Sequence, residues 1–97
     1  MVIKIQWTDE AKITFDNIVN YLEREWSEKE VKKLIAKSNN VLELISNNPK
    51  MFKITKKKNI HRGLVVPQVS IIYRVKKTEI ELLSFWDNRQ NPKKSKF

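Results

Sequence analysis

Trp26-Ser27-Glu28-Lys29-Glu30-Val31 divides a helical period that otherwise runs from the start of the chain to its middle. Here the Ser27 hydroxyl is spaced to accept the Glu30 amide while the Glu30 carboxylate reaches back, the reciprocal pattern of a capping box. Trp26 and Val31 occupy the two staple positions around it. One helix therefore ends near Glu25 and a second begins at once. Toward the N-terminus, Ala11, Phe15, Ile18, Val19, Leu22 and Trp26 recur at spacings of three and four and form one apolar stripe. Thr8 is placed to start that helix, with Asp9 and Glu10 in the first turn, where the dipole favours negative charge. Toward the C-terminus, Val31, Leu34, Ile35, Val41, Leu42 and Ile45 form the second stripe, and Asn47-Asn48-Pro49 stops it. The product is an antiparallel helix hairpin.

Outside the hairpin the period changes to two, the mark of strands. Residues 2–7 alternate, with Ile3, Ile5 and Trp7 on one face. Residues 60–66 and 69–76 follow, the latter with Val69, Ile71, Tyr73 and Val75 on one face. In 79–86, Ile80, Leu82 and Trp86 stand against Glu81, Leu83 and Phe85. Pro67 ends the first of these three strands or marks a bulge, and Lys77-Thr78 sits where a tight turn joins the last two. Residues 50–59 fit either a short strand or a loop. The order β-α-α-β-β-β requires the N-terminal strand to join a sheet of C-terminal hairpins, with the helices covering one face and the other left open. Trp7, Trp26 and Tyr73 are read as packing residues, whereas Phe85 and Trp86 point to opposite faces, one into the core and one toward a partner.

Composition narrows the chemistry. With 97 residues the chain makes one domain, and 40% hydrophobic with 32% charged residues excludes a disordered tail or a membrane protein. The absence of cysteine excludes disulfides, thiolate zinc sites and a cysteine nucleophile, and a single histidine excludes paired-His metal centres. No cofactor is expected, and no signal peptide is read, so the expected location is the cytoplasm. Residues 1–48 carry 7 basic and 8 acidic side chains, while residues 49–97 carry 13 basic and 3 acidic ones. The whole excess of the +9 net charge therefore lies in the second half. Such a field attracts a polyanion or an acidic protein segment.

The ordered set Ile5-Gln6-Trp7-Thr8-Asp9-Glu10-Ala11, Leu44-Ile45-Ser46-Asn47-Asn48-Pro49, His61-Arg62-Gly63-Leu64-Val65, Ser70-Ile71-Ile72-Tyr73-Arg74-Val75 and Phe85-Trp86-Asp87-Asn88-Arg89-Gln90-Asn91-Pro92 resembles the ParE/RelE superfamily of toxins from type II toxin–antitoxin modules. The resemblance is strongest to the ParE-like branch and runs from about residue 3 to residue 92. It implies an α+β fold, with an N-terminal strand and helix hairpin packed on one face of a small twisted antiparallel sheet. The toxin domain then spans residues 1–92 and a basic tail residues 93–97. It further implies a growth inhibitor neutralised by an acidic antitoxin, with DNA gyrase as the target of ParE-like members. For RelE-like members the target is the ribosome with its mRNA. An inactive homologue kept as an antitoxin-binding module is the third reading.

Metal-free RNA cleavage needs a base, an acid and cations around the phosphate. The resemblance assigns such roles to Lys56, Lys58, Arg62 and Arg89. Ser70, however, stands where a RelE-type nuclease carries a strand arginine, and the segment after Arg89 holds neither tyrosine nor histidine. No confident catalytic residue follows. A Ser–His–Asp triad through His61 and Asp87 lacks a nucleophile elbow. The residues expected to meet a target or partner are Lys56, Lys57, Lys58, His61, Arg62, Phe85, Trp86 and Arg89. Arg62 and Arg89 have a structural alternative, as ion-pair partners of Asp87 and Glu81. Leu83, Phe85 and Trp86 are expected to form an apolar strip.

Overall fold

The computed structural model describes residues 3–55 and 59–89. Its elements are β1 (Lys4–Trp7), α1 (Asp9–Glu25), α2 (Glu28–Asn47), β2 (Ile60–Val66), β3 (Val69–Val75) and β4 (Glu79–Asp87). They form a four-stranded sheet in the order β1-β4-β3-β2. Short turns make β2, β3 and β4 antiparallel to their neighbours, but β1 pairs parallel to β4. The sheet is therefore mixed, a correction to the expectation of an antiparallel sheet throughout. The helix hairpin carries the chain across one face, and the segment after Asn48 then runs back along β2. It makes an antiparallel bridge between Ile54 and His61, and the Arg62 N–H donates to the Lys53 carbonyl at 3.1 Å. Among the described residues of this stretch, 50–55 and 59, loop is thus combined with one bridge.

Threonines hold α1 against β4. The Thr8 hydroxyl accepts the Ala11 amide at 3.1 Å, capping the helix, and donates to the Leu82 carbonyl at 2.8 Å. Because β1 ends at Trp7, opposite Leu82, the edge of β4 beyond it has no strand neighbour. Thr14 fills part of that gap, its hydroxyl accepting the Phe85 amide at 2.9 Å. At the other end of β1, Ser46 donates its hydroxyl to the Ile3 carbonyl at 2.6 Å. These bonds satisfy backbone groups that would otherwise be stranded at the sheet edge.

The second helix begins where the capping pattern predicts, at Glu28 with Ser27 as N-cap, but the Ser27 side chain makes no capping bond. The Ser27 backbone carbonyl accepts the Glu30 amide at 3.1 Å instead, and the exposed hydroxyl is left to solvent. Trp26 is 59% exposed and Ile35 40%, so neither belongs to the buried stripe expected of it. The observed stripe of α2 is Val31, Leu34, Ser38, Val41 and Ile45, a strict alternation of three and four from which Ile35 is one position removed.

Ala11, Leu34, Val41 and Ile45 pack with Val65, Val69, Ile71, Tyr73, Ile80, Leu82 and Phe85 in the main core. Trp7, Phe15 and Phe85 meet within it at centroid distances of 4.8–5.7 Å. On the opposite face Ile60, Ile72 and Leu83 cluster with Trp86. Parity in β4 changes at a bulge, since Tyr73 faces Leu82 while Ile72 faces Ser84, leaving Leu83 as the extra residue. Trp86 accordingly points away from the helices, not with Ile80 and Leu82 as strict alternation requires. Among the described residues no helix is long and apolar enough to cross a membrane.

Candidate functional site: an arginine on the open sheet face

Residue parity in β2 sorts the candidates. His61, Gly63 and Val65 face the helices, while Ile60, Arg62 and Leu64 face the other way. His61 is 6% exposed, and its ring stacks on Tyr73 at 5.2 Å with 12° between planes. Its Nδ1 lies 2.8 Å from the Phe52 carbonyl. A carbonyl only accepts, so Nδ1 carries the proton in that bond. His61 is therefore enclosed by the core and the segment after α2, which corrects its assignment to a partner-binding surface. Tyr73 is equally committed: burial pushes its phenol up to about 12, and the hydroxyl donates to the Pro49 carbonyl at 2.8 Å.

Arg62 and Arg89 do not converge. Arg62, half-buried on the open face, donates from Nη2 to Asn88 Oδ1 at 3.3 Å. Arg89 sits on the helix side, where its guanidinium pairs with Asp87 at 2.5 Å and donates to the Tyr21 hydroxyl at 2.9 Å. The guanidinium carbon also lies 4.4 Å from the centre of the Tyr21 ring. The Arg89 guanidinium holds the Asp87 carboxyl below the usual carboxylate range, and Asp87 in turn pushes Arg89 above its ordinary value. Of the two ion-pair partners foreseen, Asp87 takes Arg89, whereas Glu81 takes Arg74 at 3.6 Å and Lys76 at 3.5 Å. The open face is thus less basic than its residue count suggests.

The apolar strip divides. Phe85 is 2% exposed and belongs to the main core, so it cannot meet a partner. Leu83 is also buried. Trp86 remains half-buried on the open face, in register with Ser70, and its indole N–H is buried with no acceptor among the described residues. Leu64, across Ser70 on the other side, is 58% exposed. Lys56, Lys57 and Lys58 lie outside the described residues, as does the tail at 93–97.

Asn88 and Ser70 are the site residues that sequence reading passed over. Asn88 Oδ1 accepts the Ser70 hydroxyl at 2.8 Å as well as Arg62, while its Nδ2 donates to the Pro67 carbonyl at 3.1 Å. Nothing local marks this role, because all three partners lie on β2, β3 or the turn between them. A second feature is the apolar cavity of about 160 Å³ between the hairpin and the β2–β3 turn, with Leu22, Leu34 and Val69 in its lining and Trp26 at its rim. Among the described residues no cluster of His, Asp and Glu suited to a metal ion occurs.

The family model for the ParE toxin of the type II toxin–antitoxin system parDE matches residues 5–92. Among solved structures, the chromosomal ParDE toxin–antitoxin system of P. aeruginosa superposes with a TM-score of 0.73 at 17% identity, covering 89% of this chain and 96% of that one. The YoeB dimer of Staphylococcus aureus gives 0.61 at 18%, covering 87% and 94%. The DinJ–YafQ toxin–antitoxin complex of E. coli gives 0.62 at 11%, covering 92% and 96%. At these identities the likeness establishes the fold, and with it the β-α-α-β-β-β architecture expected. No curated protein sequence matches the chain.

Proposed function

The chain belongs to the ParE toxin family of type II toxin–antitoxin systems, and from that membership we propose that it arrests growth by binding DNA gyrase in the cytoplasm and is neutralised by an acidic antitoxin. The observation that carries a binding rather than a cleaving mode of action is the divergence of the candidate groups. Arg62 and Arg89 lie on opposite sides of the sheet, while buried His61 commits Nδ1, and Tyr73 its hydroxyl, to backbone carbonyls. Metal-free RNA cleavage needs an acid and a base within hydrogen-bond reach of one phosphate, and the described residues assemble no such pair. What they present is a cation beside apolar side chains: Arg62 with Leu64 and Trp86. Arginine and tryptophan on rigid strands are the residues that dominate protein–protein contacts. Lys56, Lys57 and Lys58 are proposed to contact the partner as well.

The antitoxin is expected to seat an apolar side chain in the cavity beside Trp26 and to lay acidic residues toward the basic half. Support for such a partner comes from the ParDE and DinJ–YafQ systems, which are named as toxin–antitoxin assemblies. The test is a pair of assays on the purified chain. Gyrase supercoiling should fall with added protein, and translating ribosomes should keep their mRNA intact. Cleavage of mRNA that disappears with Arg62→Ala or Arg89→Ala, with supercoiling untouched, would replace this reading by a ribosome-dependent endoribonuclease.

A further inference from the structure

Three arginines of the second half are held in different ways. Arg74 and Arg89 are each paired with a carboxylate, Glu81 and Asp87. Arg62 is held by a neutral amide. All eleven acidic side chains of the sequence fall among the described residues, and none forms an ion pair with Arg62. Among the described residues the guanidinium is therefore held by an amide, with no acidic side chain to neutralise its charge.

The surroundings of Asn88 require an amide at this position. Its Oδ1 faces two donors, the Ser70 hydroxyl and Arg62 Nη2, and its Nδ2 faces an acceptor, the Pro67 carbonyl. Its backbone N–H donates to the Gln68 carbonyl at 2.8 Å, which fixes the residue over the β2–β3 turn. Only an amide supplies both an acceptor and a donor from adjacent atoms. A carboxylate would meet the Pro67 oxygen with a like partial charge and would cancel Arg62. The guanidinium has five donors in a planar fork suited to a carboxylate, and one described bond uses a single one of them. On the same face, exposed Leu64 and half-buried Trp86 stand on either side of Ser70.

We propose that Asn88 is a positioning residue, which holds the Arg62 guanidinium on the open sheet face without neutralising it, ready for a carboxylate of the antitoxin. This rests on the reading of the chain as an antitoxin-neutralised toxin. Geometry and charge make separable contributions, and two variants of one position divide them. Asn88→Ala releases the guanidinium and leaves its charge; Asn88→Asp keeps a partner and removes the net charge.

The experiment measures association and dissociation rates of the full chain with the purified product of the adjacent antitoxin reading frame, across a salt series. The side-chain Nε–H signal of Arg62 is followed by NMR in the same variants, and melting curves confirm folding. Asn88→Ala should raise the dissociation rate by about five- to tenfold with the association rate within about twofold, because contact quality acts mainly on dissociation. Asn88→Asp should slow association at low salt by about threefold or more, a difference that vanishes by about 0.5 M salt as screening shortens the field. A residue that merely supports the fold would shift the melting curve without this split. Ser70→Ala removes one of the two donors that orient Asn88 Oδ1 and should raise the dissociation rate by less than Asn88→Ala does. The proposal is overturned if the Arg62 signal is unchanged in Asn88→Ala, or if both Asn88 variants bind as the wild type while Arg62→Ala does not. A wild-type chain that forms no complex with that antitoxin overturns the underlying reading instead, and the NMR comparison then decides the hold by itself.

Discussion

Gly63→Ala tests how the segment after α2 is fastened to the sheet. Gly63 is the single glycine of the chain, and its φ is not positive, so an alanine meets no backbone obstacle. The obstacle is Phe52. A Cβ at position 63 would lie 2.3 Å from Phe52 Cγ and Cδ1, well inside the contact distance of about 3.5–4.0 Å between carbons. The ring cannot simply swing aside, because its backbone is tied by the His61 bond to the Phe52 carbonyl and by the Arg62 amide on the Lys53 carbonyl. Overpacking of this kind costs about 1–3 kcal/mol. Against it stands the entropy that alanine removes from the unfolded chain, about 0.4–1 kcal/mol. The net expectation is a loss of up to about 2.6 kcal/mol. In a Phe52→Ala background the clash is gone and the same substitution should be neutral or stabilising, a coupling of about 1–3 kcal/mol. Urea denaturation of the four proteins of the cycle measures it, with hydrogen exchange at the Arg62 amide reporting on the fastening itself. Equal costs of Gly63→Ala in both backgrounds would refute the close approach of the Phe52 ring to Gly63 as the obstacle.

Thr14→Val removes the acceptor of the Phe85 amide at an otherwise open edge and should cost about 1–3 kcal/mol, while Thr14→Ser stays near the wild type; chemical denaturation distinguishes them. Ser27→Ala should change stability by no more than about 0.5 kcal/mol, since the side chain makes no capping bond, whereas Leu34→Ala, at 2% exposure, should cost about 2–5 kcal/mol. Asp87→Asn should lower stability at pH 7 by at most about 1 kcal/mol, because the Arg89 side chain is 45% exposed to solvent screening. The Asp87 carboxyl titrates below its unfolded value near 3.9, so its contribution is complete above that value and lost as pH falls through the lower folded one. Wild type and variant should therefore converge in acid, and a stability gap that persists unchanged at low pH would exclude the pair as its source.

Much of the architecture was legible because its signals act over a few residues. Strand limits at 60–66, the helix break at Trp26-Ser27 and the stop at Asn47 each follow from local alternation, a cap residue or a proline and are observed, and the strand read over 69–76 ends one residue earlier, at Val75. Residue identity within ordered motifs also sufficed for the family. Tertiary structure alone decided which way side chains face and what they meet. The extra residue Leu83 in β4 reverses parity after Leu82, so Phe85 enters the core and Trp86 leaves it; a bulge is a property of two strands and leaves no mark in one. The parallel pairing of β1 depends on strands more than seventy residues away. His61 reads as a candidate base until Phe52 and Tyr73 enclose it. The two arginines look equivalent in the sequence, yet one is neutralised by a carboxylate two residues before it and the other is held by an amide from across the sheet. Local preferences are set by each residue's own backbone and near neighbours, whereas the charge and direction of a side chain belong to whatever the fold brings beside it.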